Sequence, residues 1–209
     1  MKILVFGAGV LGCYLARNLF RAGKDVTLLA RGNWANEIKT NGLKIKNRFS
    51  PCMSVSRIPA VTELNPTDAY DVIFVAVRYT QIEAILDTLR ASRAKTILFV
   101  GNNVRASQTA ALLPEKNVLF AFASAAGHRE SDHVDSVDLR KITVGPLRDA
   151  PSQEALIKRP KAASFSFRPR HRRKGTVSSF SFAFSFPASL LSPRSVGILF
   201  SLCIIVKQN

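Results

Sequence analysis

A chain of 209 residues that is 47% hydrophobic and only 21% charged has enough apolar content to bury a core, which excludes a disordered polymer and a collagen-like rod. Its formal net charge of +16 is unevenly spread: residues 1–150 hold 20 Lys+Arg against 13 Asp+Glu, and the last 59 residues hold 10 against one, Glu154. Cys13, Cys52 and Cys203 are too few and too scattered for a disulfide framework or a zinc site; His128, His133 and His171 are too dispersed to hold a metal, and HRESDH places His128 and His133 among acids in an exposed loop.

The chain opens directly on a strand pattern, KILVF, without the charged and apolar regions of a signal peptide. Residues 10–22 carry Leu11, Leu15, Leu19 and Phe20 on one helical stripe, and Gly23 is placed to end that helix. DVTLLA reads as a second strand, followed by a short helix around 33–40 and a hairpin from GLKIKN to CMSVSRI. DVIFVAV, at 71–77, is continuously apolar, as a strand covered on both faces would be. A helix is expected over about 80–91, then strand TILFVG, a helix near 105–113, strand NVLFAF and a last strand KITVG. Strand and helix alternating in this way predict an α/β fold with a doubly wound, mainly parallel sheet of the Rossmann type.

Gly7, Gly9 and Gly12 fall between the first strand and the first helix in the spacing G-x-G-x-x-G. In that context the first glycine permits a tight turn, the second lets a pyrophosphate approach the backbone, and the third lets helix and sheet pack closely. The free N–H groups at the start of the helix, around Gly7, Ala8, Gly9, Val10, Leu11 and Gly12, would then face a dinucleotide's phosphates. An NAD site usually places an acid at the end of the second strand, to bind the ribose 2′-hydroxyl. Here that strand ends LLARGN, and Arg31 stands in the acid's place. A guanidinium pairs with a 2′-phosphate, which favours NADP, although the same Arg would also serve as an exposed loop residue. Cys13 lies in the first turn of the helix, where a thiol pKa can fall, or it is simply a small residue packed beside the nucleotide.

The stretch ILVFGAGVLGCYLARNLFRAGKDVTLLARG resembles the opening of the ketopantoate reductases (2-dehydropantoate 2-reductases), NADPH-dependent enzymes of pantothenate synthesis. DVIFVAVRYTQ resembles that family's strand ending in Lys-x-x-Gln, ILFVGNNVRAS its strand running into an Asn-Gly turn, and FAFASAAGHRES a later segment rich in Gly and aromatics. The resemblance covers about residues 1–147. It implies pyrophosphate contacts at Gly7, Gly9 and Gly12, a 2′-phosphate contact at Arg31, Gln81 near the cofactor, and Asn102 beside the nicotinamide and a 2-keto acid substrate. Arg78 stands where the family has lysine, keeping the charge without the compact ammonium, and Asn103 stands where glycine is usual. Tyr79 would either stack near the nicotinamide or stand half-buried as a helix-start aromatic.

In the family a second, helical domain supplies a catalytic lysine and a glutamate, and neither can be carried over to a position here. After Pro151 the chain is built from Ser, Phe, Arg and Pro, and seven of the 14 Phe residues lie there. Residues 148–209 are read as a basic, low-complexity tail without stable order, whose abrupt onset resembles out-of-frame translation. Its apolar run VGILFSLCIIV is well short of a membrane span, and a cytoplasmic setting without membrane contact is expected. Three functions stay open: an NADPH-dependent reductase of ketopantoate or another 2-keto acid; a truncated homologue that binds NADP without turnover; and a basic protein whose tail binds RNA or acidic surfaces.

Overall fold

The computed structural model describes residues 1–48, 52–102, 105–146, 163–169 and 180–183. Strand β1 (Lys2–Phe6) leads into helix α1 (Val10–Arg21), which returns to β2 (Asp25–Leu29), lying parallel to β1 with Ile3 opposite Val26. Ala22 caps α1 and Gly23 follows with φ +74°; the Lys24 N–H reaches the Leu19 carbonyl at 3.1 Å and the Gly23 N–H the Phe20 carbonyl at 2.9 Å. This pair of bonds is how a left-handed glycine closes a helix. Helix α2 (Gly32–Asn41) follows, then the antiparallel hairpin β3 (Leu43–Asn47) and β4 (Met53–Ser56), and the short β5 (Ala60–Val61) on the far edge of β2.

The chain then crosses to the other side of β1. There β6 (Val72–Val75), β7 (Thr96–Val100) and β8 (Asn117–Arg129) are added in turn, each parallel to the last. Helices α3 (Leu86–Ala91) and α4 (Ala106–Ala111) connect them. The order β5-β2-β1-β6-β7-β8 is a doubly wound parallel sheet, and its direction of growth reverses at β1 and β6. Both faces of the central strands are covered. Ile3 and Val5 pack with Leu15, Leu19, Val26 and Leu28 against α1, whereas Leu4 and Phe6 pack with Ile73, Val75, Leu86 and Leu89 against α3. This two-sided burial is why these strands read as unbroken apolar runs.

Three expectations need correction. Residues 80–91 are not one helix: Tyr79–Gln81 and Glu83–Ile85 wind as 3₁₀ turns, and only Leu86–Ala91 is α-helical. The Arg78 N–H donates to Gln81 Oε1 at 3.2 Å and the Gln81 N–H to the Arg78 carbonyl at 2.9 Å, tightening the first turn, while Ile82, Leu86 and Leu89 face the core. Second, the last strand is not confined to KITVG: β9 (Val134–Pro146) begins at Val134 and runs antiparallel to β8 within the mainly parallel sheet, because a four-residue connection is too short for a crossover. Third, His128 lies on β8 rather than in a loop, with His133 just before β9. His128 Nε2 is 2.8 Å from Glu130 Oε1 and 3.7 Å from Asp135 Oδ2; His133 Nδ1 is 2.7 Å from Asp132 Oδ1.

The β8–β9 hairpin changes register between Ala123 and Ala125, and its far end joins β3, with Ile45 opposite Val134. It thereby lies along α1. Within the stretch expected to lack regular structure, β10 (Ala163–Pro169) pairs antiparallel with β9 and β11 (Phe180–Ala183) with β10. The two-residue Ser/Phe alternation of these segments suits a strand. The rest of 147–209 lies outside the described residues, as do Asn103 and Val104.

Candidate functional site

Gly7 follows β1, Arg31 follows β2, Arg78 follows β6 and Asn102 follows β7. Because these four strands are adjacent and parallel, all four positions emerge at one edge of the sheet, the carboxyl end, where the winding reverses. In open α/β sheets this is where ligands bind.

The three glycines are there for different reasons. Gly7 has φ +109°, and a Cβ on it would come within 2.7 Å of the Ala76 carbonyl oxygen, so the turn out of β1 requires glycine both conformationally and sterically. A Cβ on Gly12 would collide with the Gly7 carbonyl oxygen, which makes residue 12 the point of contact between α1 and the turn. Gly9 has neither constraint. It caps α1 with φ −80° and ψ −172°, which any residue adopts, and a Cβ there would meet nothing within 4 Å.

From Gly9 the first turn of α1 begins, its carbonyl accepting the Cys13 N–H at 2.9 Å. The N–H groups of Val10, Leu11 and Gly12 precede that first helical bond, and they carry the positive end of the 12-residue helix. The first turn holds no acidic side chain to occupy them. Three open N–H donors, no carboxylate and room where a side chain would stand make a cradle suited to a phosphate.

Arg31 is the N-cap of α2 and is exposed; among the described residues it forms no ion pair. Arg78 and Gln81 are exposed on the 3₁₀ turn after β6, and the Gln81 side-chain Oε1 already accepts the Arg78 N–H in that turn. Tyr79 is 56% exposed at the start of the 3₁₀ turn, in keeping with a half-buried helix-start aromatic. Asn102 is exposed beyond Gly101, whose N–H is held by the Ala121 carbonyl at 2.9 Å, and Phe122 next to Ala121 is 54% exposed. The structure therefore brings the expected residues to one edge, with the glycine loop at its centre and Arg31 and Asn102 on opposite sides of β1.

Cys13 is fully buried behind this loop. Burial pushes its thiol up to about 12, against the opposing pull of the nearby Trp34 indole and the Arg129 charge, so it is a packing residue and not an activated thiol. Two residues that sequence reasoning passed over also lie here. The Trp34 Nε1–H donates to the Ala8 carbonyl at 3.0 Å, and the Arg129 guanidinium sits over the Trp34 ring, 5.5 Å from its centroid. The one available signal was that Trp34 is the chain's single tryptophan.

Among the described residues no three His, Cys, Asp or Glu side chains gather as a metal site, and no helix is long and apolar enough to cross a membrane. Residues 3–149 match the family model described as Ketopantoate reductase PanE/ApbA. The chain is 34% identical over 90 residues to the 2-dehydropantoate 2-reductase of Mesorhizobium japonicum, covering 43% of this chain and 27% of that protein. It is 30% identical over 105 residues to the enzyme of the same name from Pyrococcus abyssi, covering 50% and 34%. The crystal structure of 2-dehydropantoate 2-reductase from Methylococcus capsulatus superposes with a TM-score of 0.61 at 18% identity, covering 75% of this chain and 52% of that one, a likeness of fold. The chain thus spans about a third of the curated relatives and about half of the solved structure.

Proposed function

This chain belongs to the ketopantoate reductase PanE/ApbA family, and from that premise we propose that residues 1–147 are the NADPH-holding part of a 2-dehydropantoate 2-reductase. The observation that carries the reading is Gly9: nothing among the described residues requires glycine there, and it stands at the N-cap of α1, beside the N–H groups that open that helix. A pyrophosphate fits that space and that charge. Gly7 and Gly12 shape the loop from behind, and Val10, Leu11 and Gly12 present donors from the helix.

The choice of NADPH over NADH rests on Arg31. At the end of β2 an exposed guanidinium without an acidic partner among the described residues welcomes a 2′-phosphate, and no carboxylate stands there to bind a bare ribose. On the other side of β1, Arg78, Gln81 and Asn102 border the nicotinamide end. The Asn102 amide is suited to orienting a keto acid's polar groups, and Arg78 to attracting its carboxylate.

A bound nicotinamide supplies the hydride in such a reduction. What the protein must add is a proton for the carbonyl oxygen. The loops after β6 and β7 contain no lysine or histidine, a guanidinium does not give up its proton, and neither Tyr79 nor Glu83 matches a catalytic position that the family resemblance implies. We therefore read residues 1–209 as a chain that binds NADPH without turning over ketopantoate. Titration of the purified chain with NADPH and NADH, followed by nicotinamide fluorescence, tests this. Saturable binding that is tighter for NADPH is expected, and binding of neither overturns the reading.

A further inference from the structure

Trp34 lies in the first turn of α2, three residues after Arg31, and its side chain is buried, at 6% exposure. Packing alone does not explain it. A phenyl or isobutyl group would also fill an apolar site, whereas the indole N–H is, among the described residues, the one side-chain donor that reaches the backbone of the glycine loop. Its acceptor is the carbonyl of Ala8, the residue between Gly7 and Gly9.

The peptide joining Ala8 to Gly9 is trans, like the others among the described residues, and therefore planar, so its C=O and N–H point in opposite directions. Holding the Ala8 carbonyl toward α2 therefore turns the Gly9 N–H away from α2. That N–H donates to no group among the described residues, and it belongs to the residue whose side-chain direction is open. On the outer face of the indole, the Arg129 guanidinium from β8 stacks over the ring and holds it in place.

We propose that Trp34 is a positioning residue for cofactor binding: its indole N–H sets the orientation of the Ala8–Gly9 peptide, so that the Gly9 N–H is presented to the dinucleotide's pyrophosphate. This rests on the reading of the glycine loop as an NADPH site and deepens it, by naming the side chain on which the loop's donor geometry depends.

The test compares the intact 209-residue chain with Trp34→Phe, which keeps an aromatic ring beneath Arg129 and removes the donor. NADPH titration should give a dissociation constant raised roughly three- to tenfold, the size of one lost hydrogen bond. In the ligand-free variant the Gly9 amide resonance should shift while those of Ile3, Leu4 and Val5 in β1 stay in place, which a general loosening of the fold would not produce. Unchanged NADPH affinity, or a loss accompanied by shifts throughout β1, overturns the proposal. Should Trp34→Phe fail to fold, replacement of Trp34 by 3-benzothienylalanine, which exchanges only the N–H for sulfur, carries the same expectations. If the wild-type chain binds no NADPH, the reading of the site fails and this inference with it. If the wild type binds and the variant binds equally well, the inference alone fails.

Discussion

Gly12 lies so close to the Gly7 carbonyl oxygen that any side chain at residue 12 would be driven into it. The contact fixes α1 against the end of β1 and, through Gly7, against Ala76 at the end of β6. Gly12→Ala must push the helix away from backbone that cannot yield. We expect it to destabilise the fold by about 1–3 kcal/mol, as overpacking in a close-packed interior does, with the melting temperature falling by several degrees in a thermal unfolding scan. A variant as stable as the parent would mean that the loop relaxes freely.

Gly9→Val should behave in the opposite way. Its φ of −80° suits valine, and its Cβ meets no protein atom within 4 Å. The variant should melt close to the parent and bind no NADPH, because the valine stands where the pyrophosphate must approach. Near-normal affinity in a fluorescence titration would show that the phosphates bind elsewhere.

Much of this was legible because of how the central strands are buried. β1, β6 and β7 are covered on both faces, so their sequences are continuous apolar runs, and the end of α1 is announced by Gly23. The β8–β9 hairpin hid its length. Its outer half, AGHRESDHV, is polar and largely exposed, and it is held by backbone pairing across a register shift and not by an apolar stripe. At Gly127 the strands approach so closely that a Cβ would collide with the Asp135 carbonyl oxygen, a constraint that only the fold reveals. Trp34 and Ala8 were equally hidden. They are 26 residues apart, and no local pattern reports a hydrogen bond between them.

Arg31 sets the expected cofactor preference. Arg31→Ala should weaken NADPH binding by roughly ten- to a hundredfold, the loss of a charge-assisted pair of about 1.5–3 kcal/mol. NADH affinity should change little, so the ratio of the two dissociation constants narrows. Because Arg31 is exposed, its removal should leave the melting temperature unchanged. Equal affinity of the parent for both cofactors would remove Arg31 from the site.

Cys13 provides a check on the packing behind the loop. With its pKa pushed up to about 12, a small fraction of the thiol, on the order of one part in ten thousand, is ionised at pH 8. Iodoacetamide at that pH should therefore modify exposed Cys52 while Cys13 stays unlabelled until the chain is unfolded in guanidinium. The site-by-site yield can be read by peptide mass spectrometry. Labelling of Cys13 in the folded protein at a rate comparable to Cys52 would mean that the first turn of α1 opens readily.

The last expectation concerns turnover. On the proposed reading, Gly7 to Gly12 and Arg31 would hold the phosphates, and Arg78, Gln81 and Asn102, which follow β6 and β7, would border the nicotinamide end, where hydride donor and keto acid would meet. Reduction also needs a group to protonate the developing alkoxide. In the ketopantoate reductases, a lysine and a glutamate of the helical domain are implied for this part of the chemistry, and the loops after β6 and β7 offer no lysine or histidine in their place. The described edge is also exposed at Arg78, Tyr79, Gln81 and Asn102, so water screens whatever charges act there. A missing general acid by itself costs about a hundred- to ten-thousandfold, and imperfect orientation of the substrate costs more. Purified residues 1–209 should thus bind NADPH yet give no ketopantoate-dependent fall in its absorbance. Turnover of about 1 per second or faster, the low end of ordinary enzymes, would mean that residues beyond the described core supply the missing proton donor.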